Sequence, residues 1–315
     1  MALAEVSALM QDHDADLVGA AARLRAIAPS ALQADDLASY SWLVNHVIGE
    51  KGHDWPGARA LLEALPALAG QPPVVLRNRA VACAMSGDAL QAWQAEGELA
   101  QALACGPALA ATAVRLGALQ HLAGSADPLL VAATLVPCVQ AIDAAPAGGP
   151  VLVMAARAIN NAVSGWLEHP QPATADPLVG TAMRRAARCC KTVWQRAGTW
   201  MQVERADYLI ALVANALADW EAAAQAARDG ILLIEANGGE DVDRAFLLLE
   251  LARARYGIGE DGSARTARDA AFALAERFDE PGLREWFDRK AGSLPVASSA
   301  ASSVVSSPRS PARAA

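Results

Sequence analysis

The sequence has few of the residues that favour β-strands. Its 315 residues include only 3 Tyr and 4 Phe, and aromatic residues make up 5% of the chain. Alanine accounts for about a quarter of the residues, and it has the highest helix propensity of all residue types. β-Branched and aromatic residues, in contrast, are those enriched in strands. The composition therefore predicts an all-α protein.

The chain also lacks a surplus of basic residues and a long uninterrupted hydrophobic run. Lysine occurs only at 51, 191 and 290, and the formal net charge is −8. A nucleic-acid partner requires a basic field that displaces counterions from phosphates. The longest uncharged stretch, 116–138, is interrupted by His121, Asp127 and two prolines, and the N-terminal segment has no basic region before an apolar one. These features predict a cytoplasmic protein that binds neither nucleic acid nor membrane.

Sequence signatures of catalysis and metal binding are missing as well. The five cysteines form no CxxC pair, and there is no HExxH, no GxSxG and no glycine-rich phosphate loop. The histidines are distributed over different helical segments, where surface or helix-end positions are expected: His13, His46, His53, His121 and His169. The sequence therefore predicts no enzymatic activity, no cofactor and no metal, and it favours reduced, buried thiols.

A helix–turn–helix pattern repeats along the chain. The segment AMSGDALQAWQAEGELAQAL (84–103) repeats the turn of EKGHDWPGARALLEALPAL (50–68), with Asp88 lying 34 residues after Asp54. Aspartate suits the start of a helix because its carboxylate accepts hydrogen bonds from free backbone N–H groups. Aspartates that mark the second helix of a pair are expected at positions 14, 54, 88, 127, 219 and 261.

One helical pair cannot bury its apolar stripe alone, so successive pairs must stack. The sequence predicts an α-solenoid of about seven antiparallel helix pairs over residues 1–291. Segments rich in proline and glycine, 144–150 and 168–177, interrupt the pattern, and two lobes (1–145 and 150–291) are an alternative arrangement. Residues 292–315, rich in Ser, Ala and Pro, are predicted to form a disordered tail.

The repeat resembles the tetratricopeptide repeat (TPR) family. The similarity is carried by LRNRAVACAMSGDALQAWQAEGELAQAL (76–103) and RADYLIALVANALADWEAAAQAARDGILLI (205–234), and more loosely by 244–278. The Trp, Gly and Pro landmarks of the standard repeat are mostly absent, and the period drifts. The resemblance implies a TPR-like superhelix that binds another protein in its concave face.

One basic segment offers candidate binding residues. The predicted helix 180–198 carries Arg184, Arg188 and Lys191 on one stripe and no acidic residue. Guanidinium groups in fixed positions recognise carboxylates bidentately, so this stripe is a candidate groove for an acidic peptide. The alternatives are a solvated face, or pairing with acids of neighbouring pairs such as Glu204 and Asp207.

Tryptophans are expected to fill gaps between pairs. Helical positions beside Leu or Ala favour this role for Trp42, Trp93, Trp166, Trp194 and Trp220, whereas an exposed Trp200 or Trp286 would be an anchor for a partner. The expected function is a cytoplasmic protein–protein interaction module (adaptor, assembly factor or co-chaperone) that binds a peptide or helix in its groove. The alternative is a regulatory sensor that binds a small molecule or a signalling peptide.

Overall fold

The computed structural model describes residues 2–66, 71–146, 148–168 and 176–295, with side chains from residue 4 onward. Within these residues there are fifteen α-helices and no strand, which confirms the all-α prediction. Their bounds are α1 Ala2–Asp12, α2 Leu17–Ala26, α3 Ala34–Leu43, α4 Trp55–Glu63, α5 Pro73–Met85, α6 Ala89–Ala102, α7 Pro107–Leu122, α8 Pro128–Asp143, α9 Pro150–Leu167, α10 Pro177–Ala197, α11 Trp200–Ala216, α12 Trp220–Asn237, α13 Asp241–Ile258, α14 Asp261–Ala275 and α15 Pro281–Gly292.

Two shorter elements complete the N-terminal region. A 3-10 turn, Pro29–Ala31, precedes α3, and a π-helix, Val44–Lys51, continues directly from α3. Proline opens six of the α-helices, where its missing N–H is not needed for the helical ladder. Pro137 is the exception, because it lies inside α8 without ending that helix.

The helices pack mainly against helices that are close to them in the chain. Neighbours such as α5 and α6, α11 and α12, or α13 and α14 form extensive contacts. Alternate helices also touch, so that α5, α7, α9, α11 and α13 form a continuous row. Alanines make this close approach possible: Ala155, Ala158 and Ala162 of α9 are fully buried. The helices are thus packed in neighbouring pairs.

The same turn joins the helices of several pairs. In His53-Asp54, Gly87-Asp88, Ala218-Asp219 and Gly259-Glu260, the first residue has a positive φ of 53°, 82°, 56° and 90°, respectively. The amide of the second residue then bonds to a carbonyl near the end of the preceding helix, as in Asp88 N to Cys83 O (3.0 Å) and Asp219 N to Ala214 O (2.9 Å). A shared turn geometry at these positions supports the repeat pattern in the sequence.

Three of the six expected aspartates cap a helix as predicted. Asp54 accepts from Gly57 N at 2.8 Å, Asp88 from Gln91 N at 3.2 Å and Asp127 from Leu129 N at 2.9 Å. Asp219 occupies the N-cap of α12 without a side-chain hydrogen bond.

The prediction was wrong at the two ends of the repeat. Asp16, not Asp14, caps α2 by accepting from Gly19 N, and Glu260 precedes α14, whose first residue is Asp261. In both places the acidic residues are close together in the chain, and periodicity cannot choose between them.

Arginines of one pair contact the capping aspartates of the next pair. Arg25 in α2 donates to Asp54 at 3.0 Å, and Arg59 in α4 donates to Asp88 at 2.6 Å. Both contacts span 29 residues, and the two arginines are 34 positions apart. The 34-residue spacing of Asp54 and Asp88 is therefore matched by the same spacing of the two arginines that contact them.

The proposed interruption at 144–150 does not divide the apolar core. A single cluster of buried residues includes Ile142 before this segment and Val151 after it. The division into two lobes stays a prediction. At the C-terminus α15 ends at Gly292, and Leu294 is still buried. The rest of the predicted disordered tail, 296–315, lies outside the described residues.

The caps give a first testable prediction. Asp88→Ala removes both the hydrogen bond to Gln91 N and the partner of Arg59, so we expect the free energy of unfolding to fall by about 1 kcal/mol. Asp261→Ala is the matched control, because Asp261 is not the N-cap of its helix, and its effect should stay below about 0.5 kcal/mol. Urea denaturation of both variants measures the difference, and equal losses would contradict the capping role.

Candidate functional site

A groove of about 630 Å³ runs along alternate helices of the C-terminal half. Its lining comes mainly from α9, α11, α13 and α15, with Trp220 at the start of α12. Because α9, α11 and α13 lie side by side, residues from distant parts of the sequence face one space. We call this cavity the central groove.

Aromatic residues line much of the central groove: Tyr208, Trp220, Tyr256 and Trp286. Trp286 is 38% exposed, and its ring lies 4.2 Å from that of Phe246, which holds it against the core. The ring of Trp220 rests directly on Gly257, where an added Cβ would come within 2.2 Å of the ring. Gly257 therefore permits the close approach of this aromatic residue to α13.

The floor of the central groove is polar and partly unsatisfied. The side-chain amide of Asn215 donates to the Glu250 carboxylate at 2.7 Å and to its backbone carbonyl at 3.0 Å. Burial raises the pKa of Glu250 above its ordinary range. Asn215 Oδ1 and the Tyr256 hydroxyl are buried and have no hydrogen-bond partner among the described residues. Buried polar atoms of this kind normally have a partner.

Charged residues along the rim have partners within the protein. Arg205 Nε donates to Asp243 at 2.8 Å. The Arg253 guanidinium donates to Ser293 Oγ at 2.7 Å and to the Ser293 carbonyl at 3.1 Å. These internal pairings leave the central groove without a strong excess of one sign, so its aromatic faces and its unsatisfied polar atoms are the principal features for recognition.

Glu204 lies beside this rim and is fully buried. Its carboxylate is 3.5 Å from Arg205 Nε. Burial and the nearby Asp243 carboxylate together raise the pKa of Glu204 to about 9. The side chain therefore carries a proton at neutral pH.

The predicted basic stripe lies away from the central groove, since none of its three residues lines that cavity. Lys191 Nζ is 2.5 Å from the buried carboxylate of Asp207 and 3.9 Å from Asp229. Arg184 Nε is 3.8 Å from Asp219, which repeats the arginine contacts of α2 and α4. Arg188 is exposed, and no ion pair involves it within the described residues. Two of the three candidates thus have intramolecular partners.

Arg184 and Arg188 line a shallow cavity of about 300 Å³ together with Arg185 and Asp143. This cavity lies on α10, beside the C-terminal end of α8. A role of the basic stripe in binding an acidic peptide stays a prediction. The stripe does not line the central groove.

The tryptophans divide into packed and exposed ones. Trp166 and Trp194 are buried as expected, whereas the packing prediction was wrong for Trp93, which is 65% exposed. Trp220 packs against Gly257 of the next pair, and it also lines the central groove together with Trp286. Position on a helix alone did not distinguish these environments.

The cysteines are free, and four of the five are buried. The two adjacent ones, Cys189 and Cys190, are both buried although they leave α10 in different directions, because this helix has neighbours on several sides. Burial raises the pKa of the Cys190 thiol to about 12. These side chains therefore stay protonated and are poor nucleophiles.

Three histidines come together, contrary to the expectation of separate surface positions. His46 Nδ1 and His121 Nδ1 lie 3.0 Å and 2.7 Å from the same Glu50 oxygen, and the ring centroids of His13 and His46 are 5.2 Å apart. Burial by itself raises the pKa of Glu50. The hydrogen bonds from His121 and His46 outweigh this effect and lower the pKa to about 2. His53 sits in a turn, and His169 lies outside the described residues.

The π-helix Val44–Lys51 carries two members of this cluster, His46 and Glu50. π-Helical turns are rare and occur frequently at functional sites. The ring of Trp55 packs over Gly49 of this element, where an added Cβ would come within 2.6 Å of it, and it also contacts the ring of His121. Trp55 and Gly49 thus help to hold the π-helix beside α7.

Comparisons with protein-family models and with curated proteins found no match for this chain. Among the described residues, no single helix is long and apolar enough to cross a membrane, although α6 and α7 pass that test when taken together across a bend of 117°.

Proposed function

We propose that the protein is a TPR-like α-solenoid that acts as a protein–protein interaction module. The neighbouring-pair packing, the recurrent positive-φ turns and the arginine–aspartate contacts with a 34-residue offset support a repeat architecture. Stacked repeats create an extended surface from the first helices of successive pairs. The central groove is lined by α9, α11, α13 and α15, and it carries the aromatic residues that are typical of binding surfaces.

The observation that carries this proposal is the half-exposed Trp286 beside unsatisfied polar atoms in the central groove. Tryptophan and tyrosine are the residues that most often dominate binding energy at interfaces. Asn215 Oδ1 accepts hydrogen bonds only, so the occupant must supply an N–H or O–H donor there. A peptide segment with a large apolar side chain and free backbone amides meets both requirements.

The protein is, in this proposal, a cytoplasmic adaptor, assembly factor or co-chaperone without enzymatic activity. Its net charge of −8 disfavours nucleic acid as the partner. The volume of about 630 Å³ also lies within the range of roughly 300–1,000 Å³ that is typical of small-molecule sites. A regulatory sensor that binds a small molecule or a signalling peptide in the central groove is therefore the second candidate.

Selection from a displayed library of random peptides, with the full chain as bait, tests the proposal. We expect enriched peptides to share an aromatic or large aliphatic residue. Trp286→Ala should weaken the best of them by about 30-fold or more, because loss of a binding hot spot typically costs about 2 kcal/mol or more. Titration calorimetry with the synthetic peptide gives the affinity.

Trp93→Ala is the matched control, because Trp93 is the more exposed of the two tryptophans and lies on α6, outside the central groove. It should leave the affinity unchanged. Equal effects of the two variants would contradict the assignment of the groove. If no peptide is enriched, but a metabolite collection shifts the melting temperature of the wild-type protein and not of Trp286→Ala, the sensor is favoured instead.

A further inference from the structure

His13, Asp14 and His46 converge on one point at the N-terminal end of the fold. His13 and Asp14 lie in the turn between α1 and α2, and His46 lies in the π-helix Val44–Lys51. Asp14 Oδ1 is 3.6 Å from His13 Nε2 and 3.8 Å from His46 Nε2. Each residue thus turns one potential ligand atom toward the others.

The hydrogen bonds on the far side of each ring fix the tautomers. His13 Nδ1 lies 2.9 Å from the Leu9 carbonyl oxygen, and a carbonyl oxygen only accepts, so this nitrogen carries a hydrogen. His46 Nδ1 lies 3.0 Å from Glu50, and an ionised carboxylate also only accepts. In the neutral form of both rings, the lone pair is therefore on Nε2 and faces Asp14.

Two lone pairs and a carboxylate oxygen in such proximity repel one another unless the histidines are protonated or a cation lies between the three atoms. We propose that His13 Nε2, His46 Nε2 and Asp14 Oδ1 bind a divalent transition metal of the zinc class. Zinc ligands at about 2.0–2.1 Å in a tetrahedron lie roughly 3.3–3.4 Å apart. Asp14 Oδ1 lies 3.6 Å and 3.8 Å from the two nitrogens, and all three atoms lie within 4.8 Å of one another, so metal binding requires the ligands to move closer together.

The surroundings match those of known metal sites. Metal-binding histidines usually donate their second N–H to a carboxylate or a backbone carbonyl, as His46 and His13 do. Glu50 is itself held by His121, and the ring of Trp42 stacks on His46 at a centroid distance of 4.8 Å. These contacts hold the rings of His13 and His46 in place.

One coordination position remains for water. The Asp14 side chain is 77% exposed, whereas the side chain of His13 is 9% exposed and that of His46 is 16% exposed. Solvent therefore reaches the site from the Asp14 side. Three protein ligands and one open position are the arrangement of a solvent-accessible zinc site rather than of a closed structural one.

Metal titration of the full chain tests this inference. After treatment with a chelator, the protein should bind one equivalent of Zn²⁺ at pH 7.5, and Co²⁺ in its place should give the visible absorption of a tetrahedral ion. Asp14→Asn is the first variant, because this exposed residue can be changed without disturbing the core, and it should weaken Zn²⁺ binding by at least about tenfold. Glu50 contacts the ligand His46 rather than the metal, and Glu50→Gln should weaken Zn²⁺ binding by about 10- to 100-fold.

His53→Asn is the matched control. This histidine lies in a turn with φ +53°, a conformation that Asn tolerates, and it is not one of the three ligands. The His53→Asn variant should bind Zn²⁺ as tightly as the wild-type protein. The inference is overturned if the wild-type protein binds no Zn²⁺, as expected of an ion pair between Asp14 and protonated histidines, or if Asp14→Asn and Glu50→Gln bind it as tightly as wild type. Either result leaves the central groove unaffected, because the two sites share no residue.

Discussion

Lys191→Ala is expected to lower the free energy of unfolding by about 3 kcal/mol at pH 8, because it leaves a buried carboxylate without its partner. Asp207 is 1% exposed, and Lys191 Nζ lies 2.5 Å from it. Burial raises the pKa of Asp207 to about 6 even though the bond to Lys191 lowers it. At pH 8 the carboxylate is therefore ionised and depends on the ammonium group.

The loss should shrink as the pH falls from 8 toward 6, because removal of Lys191 raises the pKa of Asp207 further and a protonated Asp207 no longer needs a counter-charge. Arg188→Ala is the control on the same helix, since Arg188 is exposed, and its effect should stay within about 0.5 kcal/mol. Guanidinium denaturation at pH 8 and at pH 5 measures both variants. A silent Lys191→Ala, or a loss that does not depend on pH, would contradict the structural role of this lysine.

Glu204→Gln is expected to stabilise the protein at neutral and alkaline pH. The pKa of Glu204 is about 9 in the folded protein and close to its ordinary value of 4.5 in the unfolded chain. Between these two values the folded state binds more protons, so the contribution of Glu204 to stability falls as the pH rises. Glutamine has nearly the same shape and no charge, so the variant does not lose stability through ionisation at this position.

The expected gain is on the order of 3 kcal/mol at pH 7, since each unit of pKa difference corresponds to about 1.4 kcal/mol. It should vanish near pH 4.5, where Glu204 is protonated in both states. Glu221→Gln on the exposed surface of α12 is the control and should change stability by less than about 0.5 kcal/mol. Thermal melts from pH 4.5 to pH 9 provide the comparison, and a Glu204→Gln variant that is destabilised throughout would refute the account of this residue.

Local sequence patterns predicted much of the secondary structure. The helical composition and the caps at Asp54, Asp88 and Asp127 depend on residues within one helix or one turn. Such features follow from backbone hydrogen bonding and from helical periodicity, which a single sequence displays directly. The choice of Asp14 over Asp16 failed because two acidic residues of the same kind stand two positions apart.

The basic stripe shows where a helical periodicity is insufficient. Periodicity placed Lys191 on the polar side of α10, but it did not show whether α11 packs against that side. In the structure Asp207 of α11 meets Lys191. The possibility of intramolecular pairing was apparent in the sequence, whereas the choice between pairing and partner binding depended on tertiary packing.

The two candidate sites were not predictable because their residues are far apart in the chain. The central groove combines residues from α9 to α15, each of which looks like an ordinary helical residue by itself. The histidine cluster requires the turn after α1, the π-helix Val44–Lys51 and α7 to meet. The spacing of four between His46 and Glu50 was the one local signal, and it is too common to identify a site.

Photo-crosslinking of a selected peptide tests the central claim, that the central groove binds a peptide, most directly. The peptide from the library selection would carry a photoreactive group beside its apolar residue, and mass spectrometry would locate the attachment points on the protein. We predict attachment to residues lining the central groove, such as Leu212, Tyr256 and Trp286. Attachment around Arg184 and Arg188 on α10, or at scattered surface positions, would contradict the proposal.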